Sequence, residues 1–253
     1  MRFAAIGSGS RGNATLVEAG STRILVDCGL SVRALVQRLA TLEVEPASIA
    51  AVLLTHEHGD HVGGVSAFAG RYGIPVWSTP GTWRAAGIAA QIDLRLFLGH
   101  GGPIRIGDLR IAPYPIPHDA REPCQFVIEG DGYRLGVLTD AGTITPRIRE
   151  RLSDCDALML EANHDPAMLR AGPYPPSVQA RVGGAFGHLS NRQAAALLDR
   201  LDHRALRQLL IAHVSANNNS EDLVRAAMAM VSADLEQRLM IAPQGRSSGW
   251  LPI

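Results

Sequence analysis

The segment Thr55-His56-Glu57-His58-Gly59-Asp60-His61 carries three histidines and an aspartate within six residues. It follows an apolar run at residues 50–54, which is typical of a buried strand, and it precedes a helical pattern. Directly after a strand the chain can turn so that side chains two positions apart converge on one ion. Asp60 and His61, at the start of the helix, then point to a second ion. Imidazole ligands that leave a position open for water are typical of catalytic zinc, so the segment predicts a hydrolase with two metal ions.

The histidine segment alone cannot surround two ions, so further ligands are expected later in the chain. Three candidates each follow an apolar run that is typical of a strand: His118, Asp140 and His213. The carboxyl ends of strands meet at one edge of a sheet, where such side chains can converge. His164 and His188 also lie at strand ends or in loops, and the spacing does not decide whether one of them replaces His213 as the last ligand.

The composition predicts a globular protein of the cytoplasm. The chain has 253 residues, a hydrophobic fraction of 46% and a formal net charge of zero, which gives no global electrostatic argument for a nucleic-acid partner. The start of the chain lacks the pattern of a secretory signal, and its apolar runs are far shorter than the ~20 residues that cross a bilayer. Three widely spaced cysteines predict reduced core residues rather than disulfides.

The order of the predicted elements indicates one domain over residues 1–253, in the α/β class. Strands are predicted at residues 2–6, 14–18, 23–26, 50–54, 76–78, 95–98, 103–106, 110–114, 125–129, 134–138, 157–160, 208–212 and 239–241. Helices are predicted at residues 32–42, with Ser31 as the cap, and at 62–72, 80–86, 146–152, 191–201 and 220–231. Strands followed by βα units, repeated about twice, favour two mixed sheets packed face to face with helices outside.

The pattern T-H-x-H-x-D-H, followed by His, Asp and His at strand ends, resembles the metallo-β-lactamase superfamily over essentially the entire chain. The resemblance implies the four-layer αββα sandwich and two divalent metal ions, with Zn²⁺ favoured over Mn²⁺ or Fe. Its implied metal ligands are His56, His58, Asp60, His61, His118, Asp140 and His213. Hydrolysis would use a hydroxide that bridges the two ions, and Asp60 would orient that hydroxide as well as bind metal.

Four further segments resemble the YycJ branch, also called WalJ or VicX: Gly7-Ser8-Gly9-Ser10-Arg11-Gly12-Asn13, Asp27-Cys28-Gly29-Leu30-Ser31, Glu161-Ala162-Asn163-His164-Asp165, and His213-Val214-Ser215 with Asn217-Asn218. Members of this branch are regarded as nucleases with 5′ to 3′ exonuclease activity on DNA. The resemblance therefore implies a nucleic-acid substrate, with DNA favoured over RNA. The resemblance to the superfamily also implies that Asp27 braces the ligand loop by hydrogen bonds without touching metal.

Gly187-His188-Leu189-Ser190 resembles the His-Ser-Thr motif of ribonuclease Z. By this resemblance His188 is a catalytic proton donor and Glu161 is its acidic partner, which leaves His213 as the metal ligand. The alternative is structural: His188 would cap the following helix, and Glu161 would be an ion-pair partner at a strand end.

Substrate phosphates are expected to meet polar groups near both ends of the chain. The candidates are Ser10, Asn13, Asn217 and Asn218. A hairpin turn explains the glycines around Ser10 equally well. The competing hypothesis for the function keeps the metals and changes the substrate, giving a thioesterase related to glyoxalase II, or a lactonase. That family usually has a C-terminal helical substrate domain, and with Gln244-Gly245-Arg246-Ser247-Ser248-Gly249-Trp250 at the end of the chain no space for one is expected.

Overall fold

The structure is a computed structural model that describes residues 1–253, with the side chains of all residues except 233, 234 and 236. The strands are β1 Arg2–Gly7, β2 Ala14–Ala19, β3 Thr22–Val26, β4 Ala51–Leu53, β5 Val76–Ser78, β6 Leu94–Leu96, β7 Ile104–Ile106, β8 Leu109–Pro115, β9 Cys124–Gly130, β10 Tyr133–Leu138, β11 Ala157–Glu161, β12 Gln208–Ala212, β13 Leu239–Ile241 and β14 Leu251–Pro252. The helices are α1 Val32–Ala40, α2 Gly59–Val62, α3 Val65–Tyr72, α4 Pro80–Ala86, α5 Pro146–Leu152, α6 Pro166–Ala171, α7 Pro176–Val182, α8 Asn191–Arg200, α9 Glu221–Ala229 and α10 Ala233–Arg238.

The chain forms two compact units. The first unit comprises Met1–Pro115, Ala120–Tyr133 and Pro243–Ile253, and the second comprises Ile116–Asp119 and Arg134–Ala242. The prediction of two mixed β-sheets flanked by helices is confirmed, and each sheet has seven strands. In the described part of the chain, no helix is long and apolar enough to cross a membrane.

The first unit contains a complete seven-stranded sheet in the order β14-β1-β2-β3-β4-β5-β6. Strands β1, β2 and β3 are antiparallel, whereas β3 to β6 run parallel. Val26 at the end of β3 pairs with Leu53 near the end of β4. The residues that follow these two strands therefore emerge side by side at one edge of the sheet.

Helix α1 packs on this sheet through an apolar face, and it begins at the cap that the sequence predicted. Ser31 caps it by accepting a hydrogen bond from the backbone N–H of Ala34. Leu35 and Leu39 are fully buried in the apolar core of the first unit. The helix ends at Ala40, two residues before the predicted end.

The second unit contains four parallel strands in the order β10-β11-β12-β13. Leu138 pairs with Leu160, and Glu161 pairs with Ala212, so three neighbouring strands end at similar heights. Side chains placed just after these ends meet at one edge of the sheet.

The helix expected over residues 62–72 is two helices, α2 and α3, separated by Gly63 and Gly64. Helices α6, α7 and α10 and strand β14 were not predicted from the sequence. Helices α6 and α7 both begin with proline, which is favoured at the first position of a helix.

The three cysteines are buried and free, as the sequence predicted. Burial raises the pKa of Cys28 to about 12, and the charge of Asp27 acts in the same direction. Burial also raises the pKa of Cys124. These thiols therefore stay protonated and behave as small apolar side chains.

Candidate functional site

Residues 55–61, which we call the histidine loop, connect β4 to α2 in the first unit. His56 Nε2 lies 3.1 Å from His58 Nδ1, and the ring centroids of His56 and His61 are 4.1 Å apart. His56 and His61 are buried, whereas His58 is half-buried. The fold thus places three imidazoles of this loop side by side, which is the arrangement that a shared cation requires.

Asp27, directly after β3, holds the histidine loop by three hydrogen bonds. Its carboxylate accepts from the Thr55 N–H at 2.9 Å, the Thr55 hydroxyl at 2.8 Å and His61 Nδ1 at 2.7 Å. The proton of His61 therefore lies on Nδ1, which makes Nε2 a hydrogen-bond acceptor. Asp27 has a φ of 62°, a left-handed conformation that Asp tolerates better than most residues.

Asn13 contacts the two groups of the histidine loop that are expected to bind metal. Its Nδ2 lies 3.0 Å from His61 Nε2 and 3.1 Å from Asp60 Oδ2, and its Oδ1 accepts from the Gly9 N–H at 2.8 Å. One N–H₂ group thus bonds to both acceptors, so their lone pairs point to a common position. In this structure the N–H₂ group of Asn13 occupies that position.

Gly29 allows the chain after β3 to touch the backbone of the histidine loop. The Cys28 N–H donates to the carbonyl of His61 at 2.8 Å, and the Asn13 N–H donates to the carbonyl of Asp60 at 2.7 Å. A Cβ at Gly29 would lie 1.7 Å from the carbonyl oxygen of Asp60. The segment around Gly29 thus has a structural role, which its resemblance to the YycJ branch did not reveal.

We expect Gly29→Ala to displace the histidine loop and to lower the free energy of unfolding by about 2 kcal/mol. Gly59→Ala is the matched control, because it adds the same methyl group within the loop where nothing lies within 4 Å. Urea unfolding of both variants checks the prediction. Equal stability of the two variants would show that the close approach at Gly29 is not needed.

In the second unit, Asp140, Glu161, His188 and His213 form a group that we call the strand-end cluster. One donor atom from each of the four lies within 4.8 Å of the others. His213 Nε2 is 3.4 Å from Asp140 Oδ1, and the rings of His188 and His213 stack with centroids 5.2 Å apart. Asp140 and His213 have φ values of 58° and 53°. These left-handed angles are uncommon for residues other than glycine.

Glu161 is completely buried, and both of its oxygens are occupied. Oε1 accepts from His188 Nδ1 at 2.7 Å and from His213 Nδ1 at 3.1 Å, while Oε2 accepts from the backbone N–H groups of Ala141 and Leu189 at 3.2 Å each. Burial by itself would raise the pKa of Glu161, but the charge and hydrogen bonds of the histidines outweigh burial and lower it. Glu161 is therefore a carboxylate that fixes the orientation of two imidazoles.

His188 is the most exposed member of the strand-end cluster, with 15% of its side chain accessible. Burial by itself would lower the pKa of His188, but the charge and hydrogen bond of Glu161 and the charge of Asp140 outweigh burial and raise it. Because Nδ1 donates to Glu161, the free nitrogen is Nε2. The cluster thus contains a histidine whose charged form is stabilised by Glu161.

His118 also belongs to the second unit and has the features of a neutral ligand. Its Nδ1 lies 3.2 Å from the carbonyl oxygen of Gly187 and donates to it. Burial lowers the pKa of His118. Its ring centroid is 5.4 Å from that of His188. The structure thus places His118 beside the strand-end cluster, with Nδ1 bonded to the backbone and Nε2 3.4 Å from Asp119 Oδ1.

His164, the remaining candidate for the last ligand, lies apart from these donors. It is 3% exposed, and among the described residues it belongs to no group of donors close enough to share an ion. His213 and His188 both belong to such a group within the second unit. This geometry favours His213 over His164 as a ligand.

The four candidate substrate-binding residues lie in different surroundings. Ser10 is exposed, whereas Asn13 is buried in its contacts with Asp60 and His61. Asn217 is exposed, and its Nδ2 donates to the hydroxyl of Tyr174 at 3.4 Å, while Asn218 is fully buried. Their role toward substrate stays a prediction.

Two further asparagines support the second unit and were not assigned roles from the sequence. Asn163 Nδ2 donates to the carbonyl of His213 at 2.9 Å, and Asn219 Nδ2 donates to the carbonyl of Ala162 at 2.9 Å. Both asparagines are buried and lie in or beside the segments that resemble the YycJ branch. They hold the chain where it leaves β11 and β12.

Comparison with known proteins agrees with this geometry. A family model described as the β-lactamase superfamily domain matches residues 22–214. The crystal structure of YhfI from Bacillus subtilis, a metallo-β-lactamase fold protein, superposes with a TM-score of 0.74 and 17% identity, covering 97% of this chain and 98% of that one. At this identity the likeness concerns the fold alone.

Curated relatives cover most of the chain. Exodeoxyribonuclease YycJ from Bacillus anthracis is 30% identical over 234 residues, which are 91% of this chain and 89% of that protein. Exodeoxyribonuclease WalJ from Streptococcus pneumoniae is 30% identical over 241 residues, 92% of this chain and 90% of that protein. Ribonuclease Z from Mycobacterium tuberculosis is 34% identical over 156 residues, 60% of this chain and 54% of that protein. The chain therefore belongs to the β-lactamase superfamily, with the metallo-β-lactamase fold, and the exodeoxyribonucleases YycJ and WalJ are its homologues over most of its length.

Proposed function

We propose that this protein is a metal-dependent phosphodiesterase that degrades nucleic acid, as a 5′ to 3′ exonuclease that prefers DNA. The observation that carries the proposal is the hydrogen bond of 2.7 Å between His188 and Glu161, beside Asp140 and His213. Hydrolysis of a phosphodiester needs a proton for the departing oxygen, and this pair can supply it. The preference for DNA rests on the relatives named exodeoxyribonuclease, which cover a larger share of the chain than ribonuclease Z does.

We propose two divalent metal ions as cofactors, with Zn²⁺ favoured over Mn²⁺ or Fe. The proposed ligands are the four side chains of the histidine loop and three side chains of the second unit: His56, His58, Asp60, His61, His118, Asp140 and His213. Two observations support this set. His61 and His118 both use Nδ1 as a donor, and His61 Nε2 and Asp60 Oδ2 converge on one position.

When bound, the ions supply Lewis acidity, which activates water near neutral pH and offsets the charge on the phosphoryl oxygens. The residues of the chain supply the proton for the leaving oxygen and orient the water. Glu161 accepts the Nδ1 proton of His188, so the second proton of the imidazolium lies on Nε2. His188 donates that proton to the leaving oxygen of the phosphodiester. Asp60 orients the attacking water.

The whole chain is proposed to work as one domain in the cytoplasm. Three buried cysteines without disulfides agree with a reducing compartment.

A substrate comparison tests the proposed function. With Mn²⁺ or Zn²⁺ present, we expect the purified protein to release mononucleotides from a 5′-phosphorylated DNA strand, and to do so faster than from the same RNA sequence. Turnover of lactoylglutathione without release of nucleotides would contradict the proposal and favour the thioesterase hypothesis. Metal analysis of the same preparation, with two ions per chain expected, tests the cofactor proposal separately.

A further inference from the structure

A cavity of about 590 Å³ opens in the second unit and has no role in the reaction described above. Helices α6, α7 and α8 all contribute to its walls. Its polar lining consists of His164, Arg170, Gln179, Ser190, Arg192 and Gln193. No aspartate or glutamate lines it. The cavity is therefore basic, and it is large enough to hold a phosphate group of a nucleotide.

Arg170 and Arg192 provide the charge of this cavity. Both side chains are exposed, and among the described residues neither has a hydrogen bond or an ion pair. Each guanidinium is thus available to a ligand. Arginine presents its donors as a planar fork that matches the oxygens of a phosphate.

His164 gives an independent indication that the cavity binds a ligand. The residue is 3% exposed and lines the cavity, and its buried Nδ1 has no hydrogen-bond partner among the described residues. Buried polar atoms of folded proteins are nearly always hydrogen-bonded, so an unpaired ring nitrogen requires an explanation. A neutral imidazole that carries its proton on Nδ1 can donate it to an anionic oxygen.

The same loop connects the cavity to the candidate proton donor. Ser190, in the cavity wall, lies two positions after His188 and forms an isolated β-bridge with His164. Gln193 Nε2 donates at 3.4 Å to the carbonyl of Gly142, which lies two positions after Asp140. A nucleic-acid strand bound in the cavity would therefore run past His188 and Asp140, which we propose for catalysis and metal binding.

We propose that this cavity binds a phosphate group of the nucleic-acid substrate, adjacent to the phosphodiester that is cleaved. Arg170 and Arg192 would hold its oxygens, and His164 would donate the buried hydrogen bond. This inference rests on the proposed function and adds a second contact point for the strand. The phosphate can be the one at the 5′ end or one within the strand, and the two sources share the same chemistry.

Binding of a strand that resists hydrolysis tests the inference without turnover. A fluorescent DNA strand with phosphorothioate linkages is titrated with the metal-loaded protein, once with a 5′-phosphate and once with a 5′-hydroxyl. We expect the double variant Arg170→Ala/Arg192→Ala to bind the strand about tenfold more weakly. We also expect the salt slope, which is the slope of log affinity against log salt concentration, to become smaller in magnitude by about 1 for each phosphate contact removed. Arg200→Ala is the matched control, because Arg200 is an exposed arginine at the far end of α8 that does not line the cavity.

Each outcome has one interpretation. A loss confined to the 5′-phosphorylated strand assigns the cavity to the terminal phosphate, and an equal loss with both strands assigns it to a phosphate within the strand. Unchanged affinity and salt slope in the double variant, or an equal loss in Arg200→Ala, overturns the inference. Cleavage is measured separately on the unmodified strand. A protein that binds through the cavity but does not cleave would contradict the exonuclease proposal and leave the phosphate site intact.

Discussion

His188→Ala is expected to lower the rate of DNA hydrolysis by about 10²- to 10⁴-fold while the protein keeps its two metal ions. The rate falls because the leaving oxygen then departs without a proton from the enzyme. The metals stay because Nδ1 of His188 bonds to Glu161 and the residue is not among the seven proposed ligands. Single-turnover cleavage and metal analysis of the same variant check both parts.

The leaving group provides a sharper test of the role of His188. p-Nitrophenolate departs readily without a proton, so a p-nitrophenyl phosphodiester should lose much less rate in His188→Ala than DNA does. A general failure of folding or of metal binding would slow both substrates equally. Loss of one metal ion from His188→Ala would instead identify His188 as a ligand in place of His213.

The pH profile is expected to respond to Glu161. His188 works in its protonated form, and the charge of Glu161 raises its pKa, so activity is lost as the pH rises through that pKa. Glu161→Gln removes the charge but can keep a hydrogen bond, so the alkaline limb of the profile should move to lower pH. An alkaline limb that does not move would show that Glu161 has only a structural role.

The sequence predicted where the site forms because strand ends are visible in a sequence. Asp27, Asp140 and His213 each follow an apolar run, and each lies just beyond a strand in the structure. Parallel neighbours bring Asp140 and His213 to one edge of the sheet in the second unit, and they bring Asp27 beside the histidine loop in the first unit. The ends of the longer elements were predicted within one or two residues for the same reason.

The sequence did not predict the backbone conformation of the site residues or the close approach between their segments. Asp27, Asp140 and His213 share a left-handed φ, and no pattern of residue types indicated it. Gly29 is needed because the carbonyl of Asp60 lies against it, a contact between segments about 30 positions apart. Asn13 illustrates the same limit: its amide suggested a ligand for phosphate, whereas its contacts in the structure are with the histidine loop.

Asp27→Ala is the second change for which we expect a large effect: metal affinity lower by about 10- to 100-fold, and a free energy of unfolding lower by about 3 kcal/mol. The buried Thr55 N–H would lose its acceptor, and His61 would no longer be fixed with its proton on Nδ1. Competition with a chromophoric chelator measures the affinity, and urea unfolding measures the stability. Asp154→Ala is the control for the left-handed backbone, because Asp154 has a φ of 59° but is exposed.

Asp27→Asn separates the two effects of Asp27. The amide keeps the shape of the carboxylate and tolerates the left-handed φ, and its Oδ1 can still accept from the Thr55 N–H. Its N–H₂ group would face the Nδ1–H of His61, so the ring is driven toward the other tautomer, whose Nε2 carries the proton and cannot bind metal. We therefore expect Asp27→Asn to retain most of the stability and to lose metal affinity. If metal affinity falls only in proportion to stability across the two variants, Asp27 supports the fold and does not set the tautomer of His61.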